Sequence, residues 1–256
     1  MIGLLKRQPL VRRLTQLPAV ERWRARAYFW KSFNETGEWE LKELPAYVPR
    51  NRLAIDVGGN IGEYSFHLGR LARDLVTFEP NPLYADRLRR AGVVKRLEEV
   101  ALSDRAGTAE LRIPVWRGEE AGGMGSLEVG AVPETMLART VQVPLRRLDD
   151  YRFQDVGFIK IDVEGHEESV LRGGLQTLAR EQPVLLVEIE ERHNPGGLER
   201  ITALLSGYQG YFFLRGRRMA LSEFAPSIHQ RLDDLEMAYD ERRRSAYVNN
   251  FLFLPV

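Results

Sequence analysis

From residue 51 onward, short apolar runs alternate with stripes of helical spacing. Leu53 to Val57, Leu75 to Phe78, Phe158 to Val163 and Val184 to Ile189 are compact Val/Ile/Leu/Phe-rich runs bounded by turn residues, the mark of buried strands. Val93 to Leu102 reads as a third strand, and Tyr211 to Leu214 and Asn250 to Leu254 close the series. Between these runs the period changes. Ile61, Tyr64, Leu68, Leu71 and Ala72 share one face of a helix over Asn60 to Ala72. Val170, Leu171, Leu175 and Leu178 predict another helix, and Leu198, Ile201, Leu204 and Leu205 a third that Gly207 ends. Asn81 predicts a cap, with Pro82 in the first helical position and Gly92 as the stop. Strands alternating with helices imply a mostly parallel sheet covered on both faces.

Two segments depart from this alternation. Thr108 to Val115 and Thr140 to Leu148 read as extra strands, and Arg117 to Arg139 between them holds glycines at 118, 122, 123, 125 and 130. A connection this rich in glycine is either a mobile lid over a site or a structureless link. Residues 1–50 read as a helical arm ahead of a domain over 51–256. Leu10, Leu14 and Leu17 form a stripe that Pro18 ends, with arginines on the other face. Such a helix either packs on the domain or meets a membrane or a partner.

Charge sharpens that picture. The 256 residues carry a formal charge of +1, yet residues 1–31 hold eight basic residues against Glu21 alone. The surplus of +7 leaves −6 for the remainder, so the body is no basic nucleic-acid-binding domain. The absence of cysteine excludes disulfides, thiolate metal sites and thiol nucleophiles. Four histidines make a multi-histidine metal cage improbable. No apolar run approaches the roughly 20 residues of a membrane span, and the charged start lacks a signal peptide's apolar core. The cytosol is the default compartment, with the inner membrane face open to the arm.

The strongest chemical signal is Asp56-Val-Gly-Gly-Asn-Ile-Gly62, which follows a strand and opens a helix. That places a glycine turn at the carboxyl edge of the sheet, where open α/β folds bind ligands. Glu79 ends the next strand, in position to accept hydrogen bonds from ribose hydroxyls. A dinucleotide turn requires G-x-G-x-x-G, and counting from Gly58 the second glycine is replaced by Asn60. Asp56 would also repel a pyrophosphate. It suits a positively charged cofactor such as S-adenosylmethionine, which has an ammonium and a sulfonium and no phosphate.

The sequence resembles the FkbM family of S-adenosylmethionine-dependent methyltransferases over roughly residues 50–256. The likeness rests on Asp56-Val-Gly-Gly-Asn-Ile-Gly-Glu-Tyr64, Phe78-Glu-Pro-Asn-Pro82, Val100-Ala-Leu-Ser-Asp104, Ile159-Lys-Ile-Asp-Val-Glu-Gly-His-Glu167 and Asn250-Phe-Leu-Phe-Leu-Pro255. Gly59 stands where the family usually has alanine. The resemblance implies an α/β, Rossmann-like class I methyltransferase fold of seven strands, the last antiparallel. It implies that Asp56, Gly58, Asn60, Gly62 and Tyr64 hold the methionine part of the cofactor. Glu79, beside Pro80, would bind the ribose, and Ala101, Leu102, Ser103 and Asp104 would border the adenine. Asp162 to Glu167 would face the reacting methyl.

Transfer to a hydroxyl of a sugar, glycan or secondary metabolite calls for a general base. His166, just after a strand and near a helix start, is the first candidate, and Asp162 the second as base or orienter. Asp162, Glu164, Glu188 and Glu190 are oxygen donors at neighbouring strand ends that suit Mg²⁺, though acids at strand ends commonly hold no metal and none is assigned. Lys160 is read as reaching a neighbouring carboxylate, and His193 as lining the acceptor side or a turn. Asn81-Pro82-Leu83-Tyr84 looks like the tetrapeptide of DNA amino-methyltransferases but follows the wrong strand, so it is read as a cap. The alternatives are a nicotinamide-dependent oxidoreductase and a non-catalytic cofactor-binding scaffold.

Overall fold

In the computed structural model the described residues are 18–36, 38–116, 119–120, 125–128, 137–231 and 247–256. The main sheet begins with β1 (Leu53–Val57), β2 (Asp74–Phe78) and β3 (Arg96–Glu98). It continues with β8 (Val156–Ile161), β9 (Val184–Glu188), β10 (Tyr208–Leu214), β11 (Arg217–Ala220) and β12 (Asn250–Pro255). Their spatial order is β11-β10-β12-β9-β8-β1-β2-β3. Strands β9, β8, β1, β2 and β3 run parallel, and β12 lies antiparallel to both β9 and β10. The expected mostly parallel sheet with an antiparallel last strand is therefore present. An eighth strand, β11, is added as an edge hairpin on β10.

A smaller sheet packs beside it, in the order β4-β7-β5-β6. Its strands are β4 (Ala101–Leu102), β5 (Gly107–Trp116), β6 (Glu119–Glu120) and β7 (Ala138–Arg146). These include the two extra strands expected from the sequence. The single third strand over Val93 to Leu102 is corrected. Only Arg96–Glu98 joins the main sheet, while Ala101 and Leu102 pair with Leu145 and Arg146 of β7. One apolar run thus serves two sheets, because β7 offers a ladder edge that nothing near residue 100 in the sequence announces.

Two helical expectations change as well. Helix α3 spans Glu63–Leu71, not Asn60 onward, since residues 58–62 are consumed by the glycine turn. The stripe at 170–178 divides into α5 (Glu167–Arg172) and α6 (Leu175–Glu181), broken at Gly173 and Gly174. A Cβ on Gly173 would lie 2.0 Å from the Ser103 carbonyl oxygen, so the break lets the end of β4 approach. Helix α4 (Pro82–Ala91) forms as expected: Asn81 Oδ1 accepts from the Leu83 amide at 3.0 Å, and Gly92 closes it at φ +62°. Helix α7 (Gly197–Leu204) crosses after β9, and α8 (Pro226–His229) follows β11.

Residues 18–50 are built into the body and do not form a separate arm. Pro18, read as ending the stripe before it, opens helix α1 (Pro18–Lys31), because a residue with fixed φ and no N–H is at home in the first helical position. The Leu10–Leu17 stripe lies outside the described residues. Phe29 of α1 packs with Phe66, Leu88, Ala91 and Val93. Leu41 and Leu44 of α2 (Trp39–Tyr47) join Leu68, Leu75, Phe158, Phe213 and Leu252 on one face of the sheet. Burying Phe29, Leu41 and Leu44 contributes roughly 5–9 kcal/mol before ordering costs.

Candidate active site

The carboxyl ends of β1, β2 and β8 set the geometry. Val57 registers with Phe78 on one side and Ile161 on the other, so the chain leaving β1 must turn over both neighbours. Gly58 makes the turn at φ +89°, where its missing Cβ would lie 1.8 Å from the Asp162 carbonyl oxygen. The Gly58 and Gly59 amides both donate to the Phe78 carbonyl, at 2.9 and 3.0 Å. Asn60 then adopts φ +45°, which asparagine tolerates better than most residues. Gly62 follows at φ +95°, tight against Leu88 and Val93.

A cleft opens above this turn. Gly58, Asn60, Glu79, Pro80, Ala101, Leu102, Asp162 and His166 all line it. Val100, Leu111 and Leu127 complete an apolar wall, and Asn81 and Glu164 add polar groups. Glu79 is held by its own loop: Oε2 accepts from the Asn60 amide at 2.7 Å and Oε1 from the Asn81 amide at 2.8 Å. Burial outweighs these bonds and pushes Glu79 up to about 7.

Five of the anticipated residues do not line the cleft. Asp56 is buried, its Oδ2 accepts from Ser65 Oγ at 2.5 Å, and Oδ1 has no partner. Burial raises Asp56 to about 7, against the opposing pull of Ser65. Gly62 shapes the turn. Ser103 is buried with its Oγ against His166, and Asp104 points to Arg105. Tyr64 lies elsewhere: its hydroxyl donates to Glu38 Oε2 at 2.5 Å, and its ring sits under Lys160 Nζ at 4.8 Å.

Lys160 is fully buried and reaches Asp162 and Glu188, each at 3.8 Å, and donates to Asn250 Oδ1 at 2.8 Å. Burial pulls its ammonium down, but Asp162 and Glu188 outweigh that and hold it above the usual lysine range. Burial drives Glu188 well above the carboxylate range, reinforced by Asp162. Glu164, at φ +50°, sits 3.3 Å from His193 Nδ1, and Glu190 pairs with Arg192. The four acids considered for Mg²⁺ are thus divided among other side chains: Asp162 and Glu188 share Lys160, Glu164 faces His193, and Glu190 pairs with Arg192. Among the described residues, no group of three or more acids and histidines is arranged to hold a metal.

His166 has both ring nitrogens engaged. Nδ1 meets Glu128 Oε1 at 2.5 Å and Nε2 meets Ser103 Oγ at 3.0 Å. Ser126 Oγ donates to the Glu164 carbonyl at 2.6 Å, and the Ser126 amide donates to Arg112 at 3.0 Å. Residues 125–128 of the expected lid are therefore pinned beside the cleft, and the rest of 117–136, strand β6 excepted, lies outside the described residues. Glu128 went unread in the sequence, since nothing in a glycine-rich connection marks one acid as the partner of a histidine 38 residues on. Replacing His166 with alanine is expected to speed amide exchange at Ser126 roughly tenfold or more, as two buried hydrogen bonds are lost. Unchanged exchange by mass spectrometry would remove this latch.

The signature of the Methyltransferase FkbM domain matches residues 56–232. No curated protein matches the chain in sequence. Among solved structures, a Methyltransferase FkbM from Methylobacillus flagellatus KT is 16% identical, with a TM-score of 0.48, over 79% of this chain and 43% of that one. The chain thus spans less than half the length of that relative. A TehB-like SAM-dependent methyltransferase from Corynebacterium glutamicum is 10% identical over 94% of this chain and 100% of that one, with a TM-score of 0.47. A Streptococcus mutans protein solved in complex with SAH is 9% identical over 85% of this chain and 96% of that one, with a TM-score of 0.42.

Proposed function

Since the chain belongs to the FkbM methyltransferase domain family, we propose that it uses S-adenosylmethionine to methylate a hydroxyl of a sugar, glycan or secondary metabolite. The observation that carries this reading is the sign of the cleft. Glu79, Asp162 and Glu164 line it, and among the described residues no lysine or arginine does. A pyrophosphate is repelled by such a surface, and a cofactor bearing an ammonium and a sulfonium is drawn to it.

The residues present fit that cofactor. Asn60 Oδ1 and Asn81 Nδ2 are buried without partners on cleft-lining residues, one acceptor and one donor left for a ligand. When bound, the cofactor supplies an electrophilic methyl on a good leaving group. The chain's part is then to orient, exclude water and move one proton. Glu79, fixed by two amides, offers its remaining lone pairs to ribose hydroxyls. Ala101 and Leu102 give the adenine an apolar wall. Asp56 acts through its charge on the loop that follows it. His166, bonded at both nitrogens, serves to hold residues 125–128, and Asp162, whose side chain is 31% exposed, takes the acceptor proton. His193 turns Nδ1 to Glu164, the tautomer that leaves Nε2 to accept a proton.

The decisive experiment incubates the full chain with methyl-labelled cofactor and a panel of deoxysugar and glycan acceptors, reading oxygen-bound label by mass spectrometry. Absence of cofactor binding by calorimetry, with the fold intact, would overturn the reading. Saturable NADH fluorescence would favour the oxidoreductase instead. The raised acids add a pH signature. Asp56 and Glu79 are protonated in the fold up to about 7, so their contribution to stability is full below about pH 4 and is lost as pH rises through 7. A bound cation favours their ionised forms. Calorimetry near pH 7 in buffers of different ionisation heat is expected to show proton release on cofactor binding. Proton uptake would contradict the assignment.

A further inference from the structure

We propose that the outward face of α1 rests on an anionic phospholipid surface. Phe29 turns inward, and Trp23 and Trp30 stand two helical turns apart on the adjoining face, 69% and 42% exposed. Tyr28, on the flank, is 55% exposed. Trp30 meets Phe33, Phe66 and His67 edge-on and carries Arg70 over its ring, yet stays partly exposed. Indole and phenol rings of this kind settle at the headgroup level of a bilayer, with an apolar body and a polar edge.

Charge selects the occupant. Helix α1 carries Arg22, Arg24, Arg26 and Lys31 against Glu21, and Arg24 and Arg26 lie on opposite sides of the tryptophan stripe. A groove between α1 and α4 is lined by Tyr28, Phe29 and Leu83, with Arg24, Arg87 and Arg90 outnumbering Glu21 in its walls and Arg90 also paired with Asp86. Its guanidinium groups suit the phosphate of a lipid headgroup. Residues 1–17, which lead into α1, contain Lys6, Arg7, Arg12 and Arg13 and no acid. The body beyond residue 31 is net −6, so a negatively charged surface attracts one end of the molecule and repels the other. No helix among the described residues is long and apolar enough to cross a bilayer, so contact is made by lying on the surface.

The test is cosedimentation of the full chain with vesicles of phosphatidylcholine alone and of phosphatidylcholine mixed with phosphatidylglycerol. Binding is expected only to the mixed vesicles, with loss in high salt. The variant Arg24→Glu/Arg26→Glu is expected to partition at least about tenfold more weakly. Trp23→Ala is expected to weaken partition without altering the melting curve, since that side chain is exposed. Equal binding to both vesicle types, or none to either, overturns the proposal. So does binding that survives the arginine reversals but vanishes on deletion of residues 1–17, which would move the contact off α1. A dimer in ultracentrifugation that Trp23→Ala abolishes would assign the face to a second copy and overturn it too.

Discussion

Gly58→Ala is expected to lose about 2–6 kcal/mol of stability and all measurable cofactor binding. Two effects combine at this position. A φ of +89° strains any L side chain, and the new methyl would sit 1.8 Å from the Asp162 carbonyl oxygen. That oxygen belongs to backbone, so it cannot swing aside as a side chain does. The Asp162 amide is itself bonded to the Val57 carbonyl at 2.9 Å, so β1 and β8 must part for the methyl to fit. The same parting shifts Asn60, and with it one of the two amides that hold Glu79. Against a typical total stability of about 5–15 kcal/mol, the upper end of this loss unfolds the domain. Gly207→Ala is the control, because a Cβ there meets nothing within 4 Å. Urea melts and calorimetry compare the two. A Gly58 variant as stable and as tight-binding as the control would show that the turn is not the cofactor cradle.

The second large effect belongs to Lys160→Ala, for which a loss of about 3–5 kcal/mol is expected. Lys160 is the buried cation facing Asp162 and Glu188, and its removal leaves the cleft-lining Asp162 and the more deeply buried Glu188 without their counter-charge. Their desolvation, and not the lost attraction, is the main cost. The pH dependence follows. Stranded acids bind protons to escape the penalty, so the deficit relative to the native chain is expected to shrink as pH falls. Adding Glu188→Gln is expected to restore part of the loss, because one of the two orphaned charges disappears. Thermal melts of the single and double variants between pH 5 and 8 measure this. A deficit that grows in acid would mean that Lys160 is not balancing those carboxylates.

What the sequence revealed about the fold and the site follows the range of the interactions. The Asp56–Gly62 turn and the cap at Asn81 were legible because glycine, asparagine and proline act on the backbone within a few residues of themselves. The parallel core was legible because strands covered on both faces must be apolar throughout. The division of Val93 to Leu102 between two sheets was hidden, since the partner β7 lies some forty residues away and leaves no local trace. The site was read most clearly where backbone geometry dictates it, at Gly58 and Asn60. It was read least clearly at the carboxyl ends of β8 and β9. There the spacing announced the acids but not their partners, so a would-be metal set emerged as separate pairs, Lys160 with Asp162 and Glu188, and Glu164 with His193. Tyr64 sits within the motif by position, yet its helix turns it toward Glu38.

The place of β12 between β9 and β10 has a consequence for how the chain assembles. Both neighbours leave the ribosome before the strand that joins them, so during synthesis each presents an unpaired edge. Asn250, which completes the hydrogen bonding of the buried lysine, arrives with that same late strand. Final closure of the sheet therefore waits on β12, and a nascent chain halted ahead of it is an aggregation-prone intermediate, with an open groove where a strand belongs.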